Sequence, residues 1–282
     1  MSDYQFDGGL LDTFSLDGLP NTPTPSTDDI SFNGYGLQNE SVRTRFVQES
    51  APTLELNARS YPRANGAYAE TAYWRETKIT LRGTIAKPTQ TTLEQEMDRV
   101  RKNLAVFGGL LKLQFAGEAR YYECYATGLD RIFAERDYFN VTFTSYEVEL
   151  TALHPFGRSG NRDAFDAAYP ITSASTNFEI THLGTAISDP LIYITLGTAG
   201  TASLITFTNT TTEESFSITD TFNDGDFLTI DCEQKTVKKN GITIDYSGIL
   251  PTLVSGPNIC NVAINNAGYS ATLSIQHYQR YY

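Results

Sequence analysis

Apolar and polar residues alternate with period two along much of the chain, the pattern of strands with one buried face. The alternation is clear in Leu54-Glu55-Leu56-Asn57-Ala58 and again in Lys78-Ile79-Thr80-Leu81-Arg82-Gly83-Thr84-Ile85, and Arg63-Ala64-Asn65-Gly66 between them predicts a turn. One stretch departs from it. Leu93, Met97, Val100 and Leu104 recur at steps of four, three and four behind Thr91-Thr92-Leu93-Glu94, which has the form of a capping box. This predicts one amphipathic helix, ended by Gly108-Gly109. Its polar face carries Glu94, Gln95, Asp98, Arg101 and Lys102, with Asp98 placed to pair with Lys102. Strand patterns resume at 110–115, 120–127 and 138–149, so residues 42 to 153 predict an antiparallel sheet with one helix across it.

The run His154-Pro155-Phe156-Gly157-Arg158-Ser159-Gly160-Asn161 is rich in turn formers, and the expected domain boundary falls there, with one domain over 42–157 and another over 158–282. Beyond residue 165 the helical period is lost. Strands are predicted at 178–183, 191–196, 204–207, 215–218, 227–230, 236–238, 242–244, 259–264 and 271–275, with Asp224-Gly225 and Asn240-Gly241 as tight hairpins. That spacing predicts an all-β sandwich. Residues 1–41 read as an N-terminal arm, because Gly8, Gly9, Gly18, Pro20, Pro23 and Pro25 punctuate them. Leu11, Phe14, Leu16, Leu19, Ile30, Phe32, Tyr35 and Leu37 are nevertheless apolar enough to add an edge strand, or to dock as an extended arm on this chain or another copy.

Composition narrows the function. The 282 residues suffice for a substantial core, and the net charge of −12 with no basic run argues against binding duplex DNA or an anionic membrane surface. The most apolar stretch, Leu104 to Phe115, is interrupted by Gly108, Gly109 and Lys112, so no transmembrane helix is expected. Met1 to Asp7 is acidic where a secretory signal is basic and then apolar, which predicts a chain made in a cytoplasm and kept there until it is assembled or released. Cys124, Cys232 and Cys260 are widely separated and odd in number, and read as buried small hydrophobes.

The candidate chemistry is sparse. His154, His182 and His277 are the only histidines, and no Gly-x-Ser-x-Gly accompanies them, so no catalytic residue is assigned. Glu123 and Glu147 are the carboxylates to weigh as a glycosidase pair, against a reading as outward residues of alternating strands. Asp220, Asp224, Gly225 and Asp231 imitate a calcium loop, yet Phe222 stands where an oxygen is required and a plain turn accounts for them. Gly34-Tyr35-Gly36 lacks the third glycine of a dinucleotide site. No cofactor or metal is expected. The 16 Phe, 17 Tyr and single Trp74 fit core and cross-strand pairs, with stacking platforms for sugar rings in the second domain as the alternative.

The order of these parts resembles a family, the distal tail proteins of long-tailed, non-contractile bacteriophages (siphophages). One block runs from Arg63-Ala-Asn-Gly66 through Tyr73-Trp74-Arg75 into 79–85, the helix and the strand 109–115; the next is Arg120-Tyr-Tyr-Glu-Cys124, the closing strand 139–150 and His154-Pro155. The last comprises Ser188-Asp189-Pro190, Gly225 to Asp231, Lys235-Thr-Val237-Lys-Lys-Asn240-Gly241 and Ser255-Gly256-Pro257-Asn258. The resemblance spans residues 50–282 and implies a mainly β chain: a tail-tube-like sheet or split β-barrel with one helix over 42–157, then a galectin-like β-sandwich over 158–282. It further implies a non-enzymatic virion protein that forms a hexameric ring at the distal end of the tail. That ring is a baseplate hub joining the tail tube to tail-tip or fibre proteins around a channel for DNA. Its partners are copies of itself, the tube protein and the tip proteins, with no specific nucleic-acid binding. It names no ring-interface residue. The alternative is a carbohydrate-binding module that recognises a host-surface glycan.

Overall fold

The computed structural model describes residues 30–49, 52–60, 67–105, 108–115, 118–127, 142–197, 202–265 and 270–282. Expectations for Leu11 to Leu19, the turn at 63–66 and the start of the strand predicted at 138 lie outside them. The described chain opens with a hairpin, β1 (Ser31–Phe32) and β2 (Tyr35–Gly36), turning on Asn33-Gly34 with φ of 50° and 76°. Positive φ at both central residues matches the twist of the flanking strands, and Asn-Gly adopts it at little cost. Next come β3 (Val42–Glu49), β4 (Leu54–Ser60), β5 (Ala67–Trp74), β6 (Thr77–Ala86), the helix α1 (Gln90–Leu104), β7 (Gly109–Phe115), β8 (Glu118–Thr127) and β9 (Phe143–Ala152).

Antiparallel ladders order these strands β3-β6-β9-β8-β7-β1-β2. One face buries Ile79, Leu81, Ile85, Leu111, Leu113, Tyr122, Val148 and Leu150 against Leu93, Val100 and Leu104 of α1. Ile30, Phe32 and Leu37 belong to the same cluster. The arm thus turns onto its own chain from residue 30, where β1 extends the sheet beyond β7. Among the described residues the ladder does not close: the chain after β2 meets β3 through the single bridge Gln38–Arg43, so of the expected sheet or split barrel the first half takes the open form. Separate from it, among the described residues β4 and β5 pair only with each other as a two-stranded ribbon.

The helix is the predicted one with its start corrected. Thr89 is the N-cap and Thr92 its reciprocal partner, so the capping box lies two residues before the expected position and uses a hydroxyl where Glu94 was expected. Asp98 pairs with Arg101, at 3.2 Å, rather than with Lys102. Glu96, unremarked in the sequence, is buried; it accepts a hydrogen bond from Tyr35 Oη at 2.8 Å and pairs with Lys87 Nζ at 3.2 Å. Burial pushes the Glu96 carboxyl up, but the bonds from Tyr35 and Lys87 outweigh it and hold its pKa below the usual range.

The second half is strand throughout its ladders: β10 (Gly157–Ile171), β11 (Ser175–His182), β12 (Leu191–Leu196), β13 (Ala202–Asn209), β14 (Glu214–Phe222), β15 (Phe227–Asp231), β16 (Thr236–Lys239), β17 (Ile242–Thr243), β18 (Ser247–Gly248), β19 (Gly256–Ile264) and β20 (Ala271–Tyr281). Two sheets, β17-β16-β15-β12-β20-β10 and β11-β19-β13-β14-β18, enclose a core that includes Ile192, Ile194, Leu273 and Ile275 from one and Ile205, Phe207, Phe216 and Val262 from the other. The predicted sandwich is present. Asn240-Gly241 forms its tight hairpin, with φ of 51° and 82°. Asp224-Gly225 does not: β14 and β15 lie in different sheets, and the turn carries the chain across the core. The turn-rich run also differs from expectation, because from Gly157 it becomes the 15-residue β10. Register shifts near 158–162 and 165–169 let that strand, despite its glycines, follow β20 along its length. At its start Arg158 pairs with Tyr121 of β8, which joins the two ladders into one 13-stranded sheet.

Candidate functional site

Two regions stand out physically. The first is the unpartnered ribbon. Leu54, Leu56 and Tyr73 are exposed to 42%, 56% and 51%, and Glu55 and Arg75 make an ion pair on it. An isolated two-stranded ribbon is marginally stable in water, and exposed apolar residues on it mark an association surface. Among the described residues β11 is paired on one side only, and β3 is open on its second side apart from the single bridge of Arg43 to Gln38. Such edges template further pairing.

The second is a buried seam where β10 and β20 pass between the two cores, and the fold brings all three histidines to it. Arg280, 1% exposed, donates from Nη1 to His154 Nδ1 at 2.6 Å and from Nη2 to Glu233 Oε1 at 2.8 Å. On the other side of β20, the rings of His277 and His182 meet edge to face at 5.4 Å. His182 Nε2 donates to the Ala186 carbonyl at 2.8 Å. Gln279 Nε2 donates to Asp163 Oδ2 at 2.5 Å and to His277 Nε2 at 3.3 Å, while its Oε1 accepts from Gly184 N at 2.6 Å. Gly184 is required: a Cβ there would lie 2.3 Å from the Arg280 carbonyl oxygen. Trp74, Phe156 and Tyr282 cap the seam, with ring centroids 5.0 to 5.8 Å apart.

Burial lowers the pKa of His154 to about 4, assisted by Arg280 and opposed by Glu233. It lowers His277 to about 4 as well, with His182 adding to the effect, and lowers His182 itself. Glu233 is pushed up by burial and pulled down more strongly by Arg280, so it stays ionised well below the usual range. The seam therefore holds neutral imidazoles around one compensated cation. His182 Nδ1, His277 Nδ1 and Arg280 Nε are buried without a hydrogen-bond partner.

The remaining sequence candidates do not converge. Glu123 pairs with Arg158 at 3.0 Å and Glu147 with Arg82 at 2.7 Å. The β8–β9 register opposes Thr127 to Glu149, so these two carboxylates are offset by six positions. At about 3.3 Å per residue this is about 20 Å, too far for a glycosidase pair, which stands roughly 5 to 10 Å apart. In the calcium-like loop Lys239 Nζ lies 2.9 Å from Asp220 and 3.7 Å from Asp226, and Asp231 caps the turn that follows it. An ammonium fills the place a cation would take. Among the described residues no group of three His, Cys, Asp or Glu side chains is arranged to hold a metal. Gly36 belongs to β2 and Gly34 to the hairpin turn. The three cysteines are buried thiols outside any disulfide, and burial raises Cys260 to about 12. Phe165, Tyr169, Phe178, Phe207 and Phe216 form a chain of ring contacts in or against the sandwich core, whereas Tyr193 and Phe227 stack outside it. The seam was the feature hidden from the sequence. Its only signal was the spacing of His277, Gln279 and Arg280 in a strand otherwise apolar on one face.

The architecture defines a class: an antiparallel β protein with two cores on one continuous sheet, one helix among the described residues, and open edges suited to assembly. Residues 183–281 match the family of siphovirus-type tail components, C-terminal domain. Among solved structures, the distal tail protein Dit of phage SPP1 is similar over 90% of this chain and 99% of its own, with 14% identity and a TM-score of 0.62; it is described as a paradigm of the hub adsorption apparatus in phages infecting Gram-positive bacteria. A chain of the phage p2 baseplate in its activated conformation is similar over 88% of this chain and 97% of its own, with 10% identity and a TM-score of 0.45. No curated protein matches. The second half of the protein is thus similar to a siphovirus-type tail-component domain and the whole chain has the fold of a distal tail protein, in agreement with the sequence resemblance.

Proposed function

We propose that this chain is a non-enzymatic structural hub at the distal end of a siphophage tail. Copies close into a hexameric ring that joins the tail tube to tail-tip proteins around a channel for DNA. Residues 42–157 make the ring and 158–282 project from it. The observation that carries the reading is the likeness to a distal tail protein over nine-tenths of the chain, together with the family match of its C-terminal domain. The edge of β3, open apart from one bridge, and the ribbon β4–β5 support it, because ring closure satisfies edges that a monomer leaves open. The net charge of −12 suits a channel through which DNA slides without adhering.

Light scattering of the full chain, followed by negative-stain imaging, tests this. Rings with a central hole are expected, and Leu56→Glu with Tyr73→Glu should return them to monomers. A stable monomer at high concentration, or closed dimers, would overturn the hexameric ring and leave the glycan-binding alternative to be tested on a glycan array.

A further inference from the structure

The first 29 residues contain Asp3, Asp7, Asp12, Asp17, Asp28 and Asp29 and no Lys, Arg or His, so they hold half of the chain's net charge of −12. They also carry Tyr4, Phe6, Leu10, Leu11, Phe14, Leu16 and Leu19. This acidic, aromatic segment ends where Ile30 enters the first core and Ser31 begins β1. From there the ladders draw one row across the sheet: Ser31 opposes Lys112, Lys112 opposes Tyr121, and Tyr121 opposes Arg158. Residues in register share a face. Their half-burial, beside the buried Leu111, Tyr122 and Gly157, places this row on the outer face of the sheet.

The row leads to a cation–aromatic strip. The Arg158 guanidinium lies 4.2 Å from the centroid of Tyr278, and that of Arg162 lies 4.9 Å from the same ring. Glu123 pairs with Arg158 from the edge and is 71% exposed. Arg280 is already engaged by Glu233 beneath the strip. Arg158 and Arg162 outnumber Glu123, in a protein whose balance elsewhere is acidic.

We propose that residues 1–29 of the same chain fold back over this strip, setting Asp12 and Asp17 against Arg158 and Arg162 and Phe14 and Leu16 between them against Tyr121 and Tyr278. Three strand spacings separate Ser31 from Arg158, about 14 Å, which five extended residues cover. More than 20 residues remain to lie along the strip. The short tether favours the chain's own segment over that of another copy, because it raises the local concentration to the millimolar range. The docked segment covers the seam where the two ladders join.

The test uses the full chain with p-benzoylphenylalanine in place of Phe14. On illumination an intramolecular cross-link to a peptide of 118–127, 157–162 or 271–282 is expected. Its yield should fall about tenfold with Arg158→Glu and Arg162→Glu, the loss of two exposed ion pairs. Asp12→Lys with Asp17→Lys leaves the folded body untouched and should give the same fall. So should about 1 M NaCl, where the Debye length is about 3 Å. Cross-links elsewhere on the chain, cross-links to a second copy, or a yield indifferent to both charge reversals and salt would overturn the proposal.

Discussion

Acidification should destabilise this protein well above the pH at which its carboxylates titrate, and His277 should carry a defined share of the loss. Its ring is 3% exposed, packed against His182, with Gln279 the only hydrogen-bonding neighbour of its Nε2 and Asp163 beyond. Burial first, and then His182, lowers its pKa to about 4, while Asp163 opposes them. The unfolded chain returns it to about 6.5. Between those values the unfolded state binds the proton and the folded state refuses it, so stability falls as pH falls. The contribution is fully present above about pH 7 and fully lost below about pH 4. At pH 5 the loss from one such group is about 2 kcal/mol, from linkage at about 1.4 kcal/mol per pKa unit. Glu96, Asp226 and Glu233, whose pKa values are lowered, lose their stabilisation only as pH falls further, so the interval from about pH 7.5 to about 5 reports the histidines. Urea unfolding across it, for the natural chain and His277→Gln, measures the share. The variant should lose about 2 kcal/mol less between the two ends. Equal losses, or a natural chain that gains stability on acidification, would refute the account of the buried imidazole.

Three further outcomes follow from single contacts. Gly184→Ala drives a methyl to 2.3 Å from the Arg280 carbonyl oxygen, which backbone cannot yield without moving β20, and it should cost about 3 kcal/mol in urea unfolding. Asn258→Ala removes a fully buried amide that donates to the Val254 and Gly256 carbonyls at 2.8 and 3.0 Å and accepts from Val254 N and Asn209; about 3 kcal/mol should be lost, with Asn258→Asp no rescue. Thr89→Ala removes the N-cap of α1 and should lower stability by about 1 kcal/mol, whereas Thr91→Ala should leave it within about 0.5 kcal/mol.

What the sequence disclosed was whatever depends on local periodicity. Every strand predicted after residue 165 is present, and all but the exposed β17 carry a branched or aromatic residue over one buried face, as Leu191–Leu196 does with Ile192, Ile194 and Leu196 inside. The helix was legible for the same reason, and its cap was misplaced because two threonine pairs compete there, Thr89 with Thr92 and Thr91 with Glu94. Asn33-Gly34 was as explicit a hairpin as Asn240-Gly241, but only two residues flank it on either side before the pattern ends. β10 was hidden by its own composition. Gly157 and Gly160 read as punctuation, whereas here they make room for the rings of Tyr122 and Tyr121, whose atoms would stand 2.6 and 2.8 Å from an added Cβ. No alternation betrays a strand whose side chains are omitted for the sake of its neighbours.

That misreading bears on how force passes through the protein. Between the two cores the sheet continues through a single register pair, Arg158 with Tyr121, flanked by the Trp74, Phe156 and Tyr282 cluster and by Arg280. Inside each half the longest ladders run six to ten register pairs. The junction is thus the narrowest section of the sheet and is held mainly by buried polar contacts. Such contacts add little net stability, because desolvation offsets most of their attraction, but they tolerate few alternative geometries. Arg280 reaches both His154 and Glu233 only when β20, the segment before β10 and the turn after β15 are in register together. A hydrophobic seam of equal area would permit the halves to slide, while this one fixes their angle. In the ring proposed above, with one half inside it and the other outward, a fixed angle would make identical subunits equivalent, which a closed ring requires.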